Sequence, residues 1–432
     1  MNDHPAERPE DQEISDCRMT DAQEATRGVH VSAPFPTPGT GLDRHLSSDP
    51  DSAGGSPVSP LRSSDHHGTH RHLLLAPDAP VDQAATIDAI VVPTVRHRRR
   101  LLHAADLSRR LRCPLLVICS GPYTGTEHVK ALGSHGAEVI AIDFTHSHAL
   151  ALPRFETSSV LPHRFRRRTD TAAKRNLALA LARMRGWRRI VFLDDDIEVS
   201  APDDLRRAAG LLHTYSAVGL SVGGFPDNSV VCHAFRAVGG AQDSFVGGGA
   251  LAVETTRCVS YFPDIYNEDW FYLLEADGLR PLAVTGTVKQ APYEPFRTPA
   301  RARNEELGDV LAEGIFWLLD EGRTIRDAHQ GHWKDFLARR HRFILSVLRH
   351  IPDSNVESGE RRRMEEALKA SLGRLALITP DMCLTYLDAW RADLKSWRDF
   401  VECLPVAESV GEALRRLSAP THPPFTSIHL RP

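Results

Sequence analysis

Short apolar runs alternate with segments of helical spacing in the first part of the chain. Three segments have the apolar spacing of amphipathic helices, at residues 98–111, 127–134 and 174–185. Four apolar runs have the length and composition of buried strands, at residues 87–92, 115–119, 138–142 and 190–193. Because strands that alternate with helices pair in parallel through right-handed crossovers, the pattern predicts an α/β fold with a mostly parallel sheet flanked by helices.

The fourth of these strand–helix units has the sharpest boundaries. Thr169 and Asp170 are residue types that cap the first turn of a helix, and Gly186 is the type that most often ends one. The strand after Gly186 runs directly into three consecutive aspartates, residues 194–196. A proline and two acids at residues 202–204 favour the start of a further helix.

Helical spacing replaces the strand pattern beyond residue 305. It predicts helices over residues 310–319, 333–348, 361–377 and 382–404. We therefore expect four regions: a disordered tail, an α/β catalytic domain, a helical C-terminal region and a loose Pro-rich tail, over residues 1–82, 83–304, 305–418 and 419–432.

The predicted N-terminal tail is rich in Pro, Gly, Ser, Asp and His and has no sustained hydrophobic period. Such a segment cannot bury enough apolar surface to offset the entropy lost on ordering. Four histidines fall within it, at positions 66, 67, 70 and 72. With no framework to fix ligand geometry, this cluster is not expected to bind a metal.

Composition narrows the functional classes. A formal charge of −4 gives no global electrostatic reason to bind nucleic acid or a membrane. The seven cysteines include no CxxC pair, so neither a disulfide framework nor a zinc framework is expected. The sequence has no signal-peptide layout and no apolar run near the roughly 20 residues that span a bilayer, which favours the cytoplasm.

The acidic triplet is the strongest candidate for chemistry. Asp194, Asp195 and Asp196 follow a strand, and ligands of open α/β sheets bind outside the carboxyl ends of strands. Three adjacent carboxylates repel one another unless they are hydrated or offset by a cation, and their hard oxygen atoms suit Mg²⁺ or Mn²⁺. The alternative is a solvated acidic turn or helix cap.

Two other enzyme classes also place acids after an apolar strand. A P-loop nucleotidase requires GxxxxGK[ST], which does not occur in the sequence. An aspartyl phosphatase normally has DxDx[TV], but the residue four positions after Asp194 is Glu198. Both alternatives are therefore disfavoured.

Four motifs occur in order along the chain: Lys174-Arg175-Asn176, Phe192-Leu193-Asp194-Asp195-Asp196, Gly247-Gly248-Gly249 and Asn267-Glu268-Asp269-Trp270. With these motifs, residues 87–290 resemble a GT-A glycosyltransferase of the family 2 type. The resemblance implies a GT-A-like, Rossmann-like fold. It also implies transfer of a sugar from a nucleotide-diphosphate-sugar donor to an acceptor hydroxyl, with inversion and a divalent metal.

The resemblance also implies roles for individual residues. Asp196 is implied as a metal ligand and Asp194 as a metal or ribose contact, while Asp195 takes either role. Asp269 is implied as the general base, with Glu268 beside it in the catalytic pair. The remaining implied contacts to the nucleotide sugar are Thr94, Arg96, Lys174, Arg175, Asn176, Gly248 and Gly249. Trp270 and Tyr272 stack on a sugar or belong to the core.

Each motif also has a simpler interpretation. The basic trio fits a solvated helical face, the glycines fit a turn, and the acids at 268 and 269 fit a helix N-terminus. The sequence also departs from the family pattern: no acid follows the second strand, which ends at Ser120, and no His follows the ED helix. Gln290 is a candidate metal ligand there and Lys289 a candidate phosphate contact; His329 and His332 are alternatives for the metal.

Two further functions remain open. Nucleotidyl transfer also uses carboxylate-bound metals, but residues 93–98 are basic without the glycines of its usual phosphate loop. A non-catalytic protein that binds a nucleotide sugar or a partner has less need of a base such as Asp269. The acceptor, whether a sugar, a lipid-linked molecule or another small molecule, is not specified by the sequence.

Overall fold

The computed structural model describes residues 61–76, 84–121, 132, 135–144, 150–167, 169–226, 228–257, 259–418 and 427–430. These residues belong to one compact unit, Ser59–Pro432. Among the described residues, no helix combines the length and apolar character needed to cross a bilayer.

The described residues include nine strands, which form one sheet at the centre of this unit. In chain order its strands are β1 (Ala89–Thr94), β2 (Leu115–Cys119), β3 (Val139–Asp143), β4 (Arg189–Leu193), β5 (Ile197–Glu198), β6 (Ala217–Gly224), β7 (Ala250–Glu254), β8 (Leu282–Gln290) and β9 (Ser427–Leu430). The spatial order is β5-β8-β6-β7-β4-β1-β2-β3-β9.

Most strands run in one direction, as the sequence predicts. β1 to β4 are parallel to one another, and β6 and β8 have the same direction because β7 is antiparallel to both β4 and β6. The reversed strands are β7 and the two at the sheet edges, β5 and β9. The prediction of an α/β fold with a mostly parallel sheet is confirmed.

The sheet separates two hydrophobic cores, because side chains alternate between faces along each strand. In β1, Ala89 and Val91 join one core while Ile90 and Val92 join the other. All four are fully buried, which explains why the strand reads as an unbroken apolar run rather than an alternating one.

Helices cover both faces of the sheet. In chain order they are α1 (Leu102–Leu111), α2 (Thr157–Val160), α3 (Thr171–Arg185), α4 (Pro202–Leu211), α5 (Val230–Ala237), α6 (Glu268–Tyr272), α7 (Pro299–Asp320), α8 (Gln330–His350), α9 (Ser358–Leu375), α10 (Pro380–Glu402) and α11 (Val410–Leu417). Helix α3 ends at Gly186, as the sequence predicts. This residue has φ of 68°, a left-handed conformation that glycine adopts without steric cost.

The helical C-terminal region is observed, and it begins earlier than expected. Its first helix, α7, starts at Pro299 and is buried along most of its length. Residues of α7 to α11 belong to the same hydrophobic core as β1 and α3. The helix predicted over residues 127–134 lies outside the described residues except for position 132.

Two expectations about the chain ends need correction. Residues 61–76 of the predicted disordered tail are part of the folded unit, where His66 and His70 are buried and Leu61 bonds to the backbone of Gly239. Residues 427–430 of the predicted loose tail form β9, which pairs with β3. In both cases the ordering comes from partners far away in the sequence.

Candidate active site

One edge of the sheet collects the polar ends of several strands. The parallel strands β1, β2 and β4 all end there, at Thr94, Cys119 and Leu193. Antiparallel β7 starts at the same edge, because Leu193 pairs with Ala250. This arrangement brings the glycines at 247–249 beside the acidic triplet, and Asp194 N–H donates to the Gly249 carbonyl at 2.9 Å.

Two of the three aspartates share one cation. The Arg96 Nη1 donates to Asp195 at 2.5 Å and to Asp196 at 2.9 Å. The Thr94 hydroxyl also donates to Asp195. Partial burial raises the pKa of Asp195, against the hydrogen bond from Thr94 and the charge of Arg96. Thr94 and Arg96 thus contact the triplet directly.

Asp194 faces a different cation. Arg175 Nη2 on α3 lies 3.0 Å from its Oδ1 and 3.3 Å from its Oδ2. The Asp194 side chain is about one-third exposed, but the protein atoms that surround its carboxylate raise its pKa to about 6. The charge of Arg175 opposes this rise, and the charges of Asp196 and Asp195 add to it.

The same Arg175 joins the triplet to the second acidic motif. Its Nη1 donates to Glu268 at 3.1 Å, and Arg167 donates to the other oxygen of Glu268 at 2.5 Å. Burial favours a raised pKa for Glu268, but the charges of Arg167 and Arg175 outweigh it and the pKa is lowered. A carboxylate held between two guanidinium groups stays ionised and is a weak base.

Asp269 has the opposite environment. The backbone N–H of Gly248 donates to its Oδ2 at 2.6 Å and that of Trp270 to its Oδ1 at 2.9 Å. Burial and the charge of Glu268 raise its pKa, against the charge of Arg175 and these two hydrogen bonds. A positioned carboxylate with a raised pKa has the properties of a general base.

The left-handed backbone conformation of Asn267 orients Glu268 and Asp269, which follow it. Asn267 precedes α6 with φ of 61°, uncommon for a residue other than glycine. Its side-chain Nδ2 donates to Asp309 of α7 at 3.0 Å, which ties down the turn. Strained backbone of this kind concentrates at functional sites.

The three residues of the basic trio on α3 bond to different neighbours. Lys174 Nζ is buried and donates to the Thr94 carbonyl at 2.8 Å and to the Ser120 hydroxyl at 2.6 Å, so it fastens the ends of β1 and β2. Asn176 exchanges two 2.8 Å hydrogen bonds with the backbone of Phe262. The predicted contact of Asn176 with a nucleotide is not supported by this geometry, because both ends of its amide are engaged.

Two cavities border the triplet. The smaller, of about 160 Å³, is lined by Thr94, Arg96, Lys174 and all three aspartates. The larger, of about 340 Å³, has Asp194 and Arg96 on its wall together with Asp269 and Glu268. The structure therefore brings Asp194 of the DDD motif and both acids of the ED motif to the wall of one cavity, although they are distant in the sequence.

The two aromatic candidates for a sugar contact, Trp270 and Tyr272, differ in location. Trp270 lines the larger cavity, whereas Tyr272 is fully buried and stacks on Phe262 with ring centroids 4.3 Å apart. Of the two aromatic candidates for a sugar contact, Tyr272 belongs to the core.

The other metal-ligand candidates differ in placement. Gln290 is buried and pairs through its backbone with Ile197, the residue after the triplet. His329 caps the start of α8, and His332 Nε2 bonds the Gly314 carbonyl at 2.9 Å. Both histidines thus make hydrogen bonds that hold α8 in place.

Sequence analysis missed several residues of the larger cavity. They include Arg167, which lies in a basic run without an obvious period, and Thr69 and His70, which lie in the predicted tail. The cluster of histidines at positions 66, 67, 70 and 72 is the sequence feature that could have indicated Thr69 and His70. The cavity is also lined by three residues of α7, Arg301, Asp309 and Glu313. The apolar pattern of this helix predicts a packed helix and does not indicate a functional site.

No protein-family model matches the sequence, and no curated protein matches it. Among solved structures, the chain is similar to a mannosyltransferase from Pyrobaculum calidifontis in complex with GDP-Man and Mn²⁺, with 16% identity and a TM-score of 0.36. The likeness covers 77% of this chain and 92% of that one. At this TM-score it is too weak to assign a fold family or a function.

Proposed function

We propose that the chain is a glycosyltransferase that moves a sugar from a nucleotide-diphosphate-sugar donor to an acceptor hydroxyl, with inversion, on a GT-A-like fold of the family 2 type. One observation carries the proposal: Asp194 of the triplet and Asp269, a carboxylate with the properties of a base, line the same cavity. Such a cavity suits a donor held at one side and an acceptor at the other.

The donor set of the triplet fits a hard divalent cation. Asp194 and Asp196 are the proposed ligands of Mg²⁺ or Mn²⁺, with Gln290 as a third candidate. Burial is the main cause of the raised pKa of Asp194, and the charges of Asp196 and Asp195 add to it. Arg96 is shared between Asp195 and Asp196, so a bound cation relieves negative charge at all three acids. When bound, the ion supplies Lewis-acid stabilisation of the leaving diphosphate.

Cations around the triplet supply the complementary charge for a diphosphate. Arg96 lines both cavities, and its side chain is about half exposed, so it is free to turn towards a phosphate. Lys174 holds the cavity floor rather than reaching into it, since its ammonium bonds Thr94, Ser120 and Asp170. Gly249 lines the larger cavity, where a glycine allows the backbone to approach the sugar closely, and Gly248 leaves room for Arg175.

Asp269 is the proposed general base. It accepts the proton of the acceptor hydroxyl as that oxygen attacks the anomeric carbon, and the nucleoside diphosphate leaves from the opposite side. Glu268 takes a positioning role, because Arg167 and Arg175 keep it ionised and it holds Arg175 towards Asp194. This division revises the expectation that both acids act in catalysis.

The two competing functions fit these residues less well. A nucleotidyltransferase has no need for a base across the cavity from the metal, and residues 93–98 contain no glycine to wrap phosphates. A binding protein has less need of a base such as Asp269 on the wall of the cavity. The acceptor is proposed to be a sugar, a lipid-linked molecule or another small molecule that reaches Trp270.

Replacing Asp269 by Asn tests the proposal. We expect kcat to fall by about 10²- to 10⁴-fold, the usual contribution of a general base, with donor affinity nearly unchanged. Turnover is measured as release of nucleoside diphosphate and donor binding by calorimetry. The matched control is Asp243→Asn, a cavity-lining acid outside the proposed machinery. Unchanged turnover in Asp269→Asn contradicts the assigned base.

A further inference from the structure

Three buried side chains with metal-binding atoms meet beside the larger cavity, which two of them line. His66 comes from the segment 61–76, Cys232 from α5 and Glu313 from α7. One ligand atom from each lies within 4.8 Å of the other two, and all three residues are buried. We propose that these residues bind a zinc ion, separate from the cation of the acidic triplet.

The chemistry of the three ligands selects the metal. A thiolate, an imidazole and a carboxylate form the mixed donor set that Zn²⁺ accepts, with tetrahedral geometry and one position left for a fourth ligand. Mg²⁺ and Ca²⁺ take oxygen ligands and discriminate against sulfur. The acidic triplet offers only oxygen, so the two sites differ in the metals they prefer.

The His66 ring is held in the tautomer that a metal ligand needs. Gln242 Nε2 donates to the Asp243 carbonyl at 3.0 Å, which fixes the amide so that its Oε1 faces the ring. His66 Nε2 lies 2.6 Å from that oxygen and donates to it. Nδ1 therefore keeps its lone pair, and the bond to Gln242 is of the kind that orients metal-binding histidines.

The surroundings of the ring add to this preparation. Phe343 stacks on His66 with ring centroids 4.2 Å apart, and Phe235 meets it edge-on. The ring is buried between these two aromatic side chains, which hold its orientation.

The charged groups around the site already have partners. Arg340 donates to Glu306 and Asp309 rather than to Glu313. His70 Nε2 lies 3.3 Å from Glu313, so zinc binding competes with His70 for this carboxylate. Zinc binding replaces the Cys232 thiol proton, which passes to solvent, so the ion is neutralised by thiolate and carboxylate together.

The cavity gives the ion a route and a fourth position. Cys232 and Glu313 line its wall, and Thr69 and His70 of the same segment as His66 line it nearby. A water molecule or a ligand in the cavity completes the tetrahedron. The proposed site ties the segment 61–76 to α5 and α7, in addition to the ion pairs of His67 and His70 with Asp320.

The test is the zinc content of the full-length protein, purified with zinc present and dialysed against metal-free buffer. We expect equimolar zinc in the wild type and at least about tenfold less in Cys232→Ser and His66→Gln, the range lost when metal sites are perturbed. The matched controls are Cys403→Ser and His72→Gln, which alter an exposed cysteine and an exposed histidine and are expected to retain zinc.

Two further measurements keep the result decisive if a variant folds poorly. Cobalt(II) substituted into the wild type is expected to show a thiolate-to-cobalt charge-transfer band in the near ultraviolet. Asp196→Asn is expected to retain zinc, because its carboxylate belongs to the other site. A wild type without zinc or without the cobalt band overturns the proposal, as does full zinc content in both Cys232→Ser and His66→Gln.

Discussion

Arg175 is the residue on which the two acidic motifs depend. It is buried, and its two terminal nitrogens face Asp194 on one side and Glu268 on the other. A buried guanidinium is stable only when its charge is matched, and these two carboxylates raise its pKa despite burial. The position of Glu268, and through it that of the neighbouring Asp269, is thereby coupled to the triplet.

The space occupied by Arg175 explains the glycine at position 248. A Cβ atom on Gly248 would lie 2.4 Å from Arg175 Nη1 and 2.7 Å from its Cζ. Because Asp194 and Glu268 both hold that guanidinium, it cannot move aside without breaking an ion pair. Gly248 also donates its N–H to Asp269.

Gly248→Ala is therefore expected to displace Arg175 and Asp269 together. Misplacement of catalytic groups by about 1 Å costs on the order of 10²-fold in rate, and we expect a loss of kcat/KM of that size. Steady-state kinetics of the purified variant measures it. Gly278→Ala is the matched control, since nothing lies within 4 Å of the added Cβ there. Equal activity of the two variants would argue against a tightly held Arg175.

Catalysis is expected to fall at acid pH as Asp269 takes up a proton. Its pKa lies above the usual aspartate value because of burial and the charge of Glu268, opposed by Arg175 and by the N–H groups of Gly248 and Trp270. Below that pKa, kcat/KM should fall about tenfold per pH unit. Glu268→Gln removes the neighbouring negative charge and should shift the acid limb to lower pH.

The sign of the linked stability change separates this effect from unfolding. A carboxylate whose pKa is higher in the folded state than in the unfolded state binds its proton preferentially when folded. Protonation of Asp269 at falling pH thus adds to the free energy of unfolding. Circular dichroism over the acid limb should show an intact fold, and loss of structure coincident with loss of activity would refute a catalytic origin.

At the scale of elements, the contact between α7 and α8 includes a buried ion-pair network. Arg340 of α8 donates to Glu306 at 2.9 and 3.1 Å and to Asp309 at 2.8 Å, and all three side chains are nearly inaccessible to solvent. Asp309 also accepts from Asn267, which directs the Glu268–Tyr272 helix. The network therefore supports the ED motif from behind.

Arg340→Met is expected to lower the free energy of unfolding by about 3–5 kcal/mol, because it leaves two carboxylates buried without their partner. Urea denaturation followed by circular dichroism measures the change. The control is Arg342→Met on the same helix: this arginine pairs with Asp65 at an exposed position, where a much smaller loss of stability is expected. Similar losses in the two variants would contradict the importance of burial.

At the scale of the whole molecule, the candidate site depends on the convergence of elements that are far apart in the chain. The ends of β1, β2 and β4, the start of β7, and the helices α3 and α6 all contribute side chains or backbone groups. The helices α7 to α10 share a hydrophobic core with the sheet. A ligand bound at this junction is expected to stabilise the complete fold.

A nucleotide sugar of the correct type should raise the melting temperature only with Mn²⁺ or Mg²⁺ present. A donor at about 100 times its Kd stabilises the native state by about 2.7 kcal/mol. A panel of nucleotide sugars screened by thermal shift measures the effect, and chelation should abolish it. Asp196→Asn should lose the metal-dependent part. If no donor stabilises the protein with either metal, the proposed function fails.

The sequence by itself determined the order and type of the main elements. The four apolar runs became β1 to β4, and the four predicted C-terminal helices correspond to α7 to α10. It also placed the acidic triplet at the end of a strand. These features follow from local patterns, because burial on both faces leaves an apolar run and a helix packed on one side leaves a period near 3.6 residues.

Tertiary structure decided how individual side chains are used. It placed Asn176 against the backbone of Phe262, clamped Glu268 between Arg167 and Arg175, and left Asp269 beside the cavity. It also ordered residues 61–76, where His67 and His70 contact Asp320 of α7. Each of these outcomes depends on partners distant in sequence, and no local periodicity records which buried charge a side chain will meet.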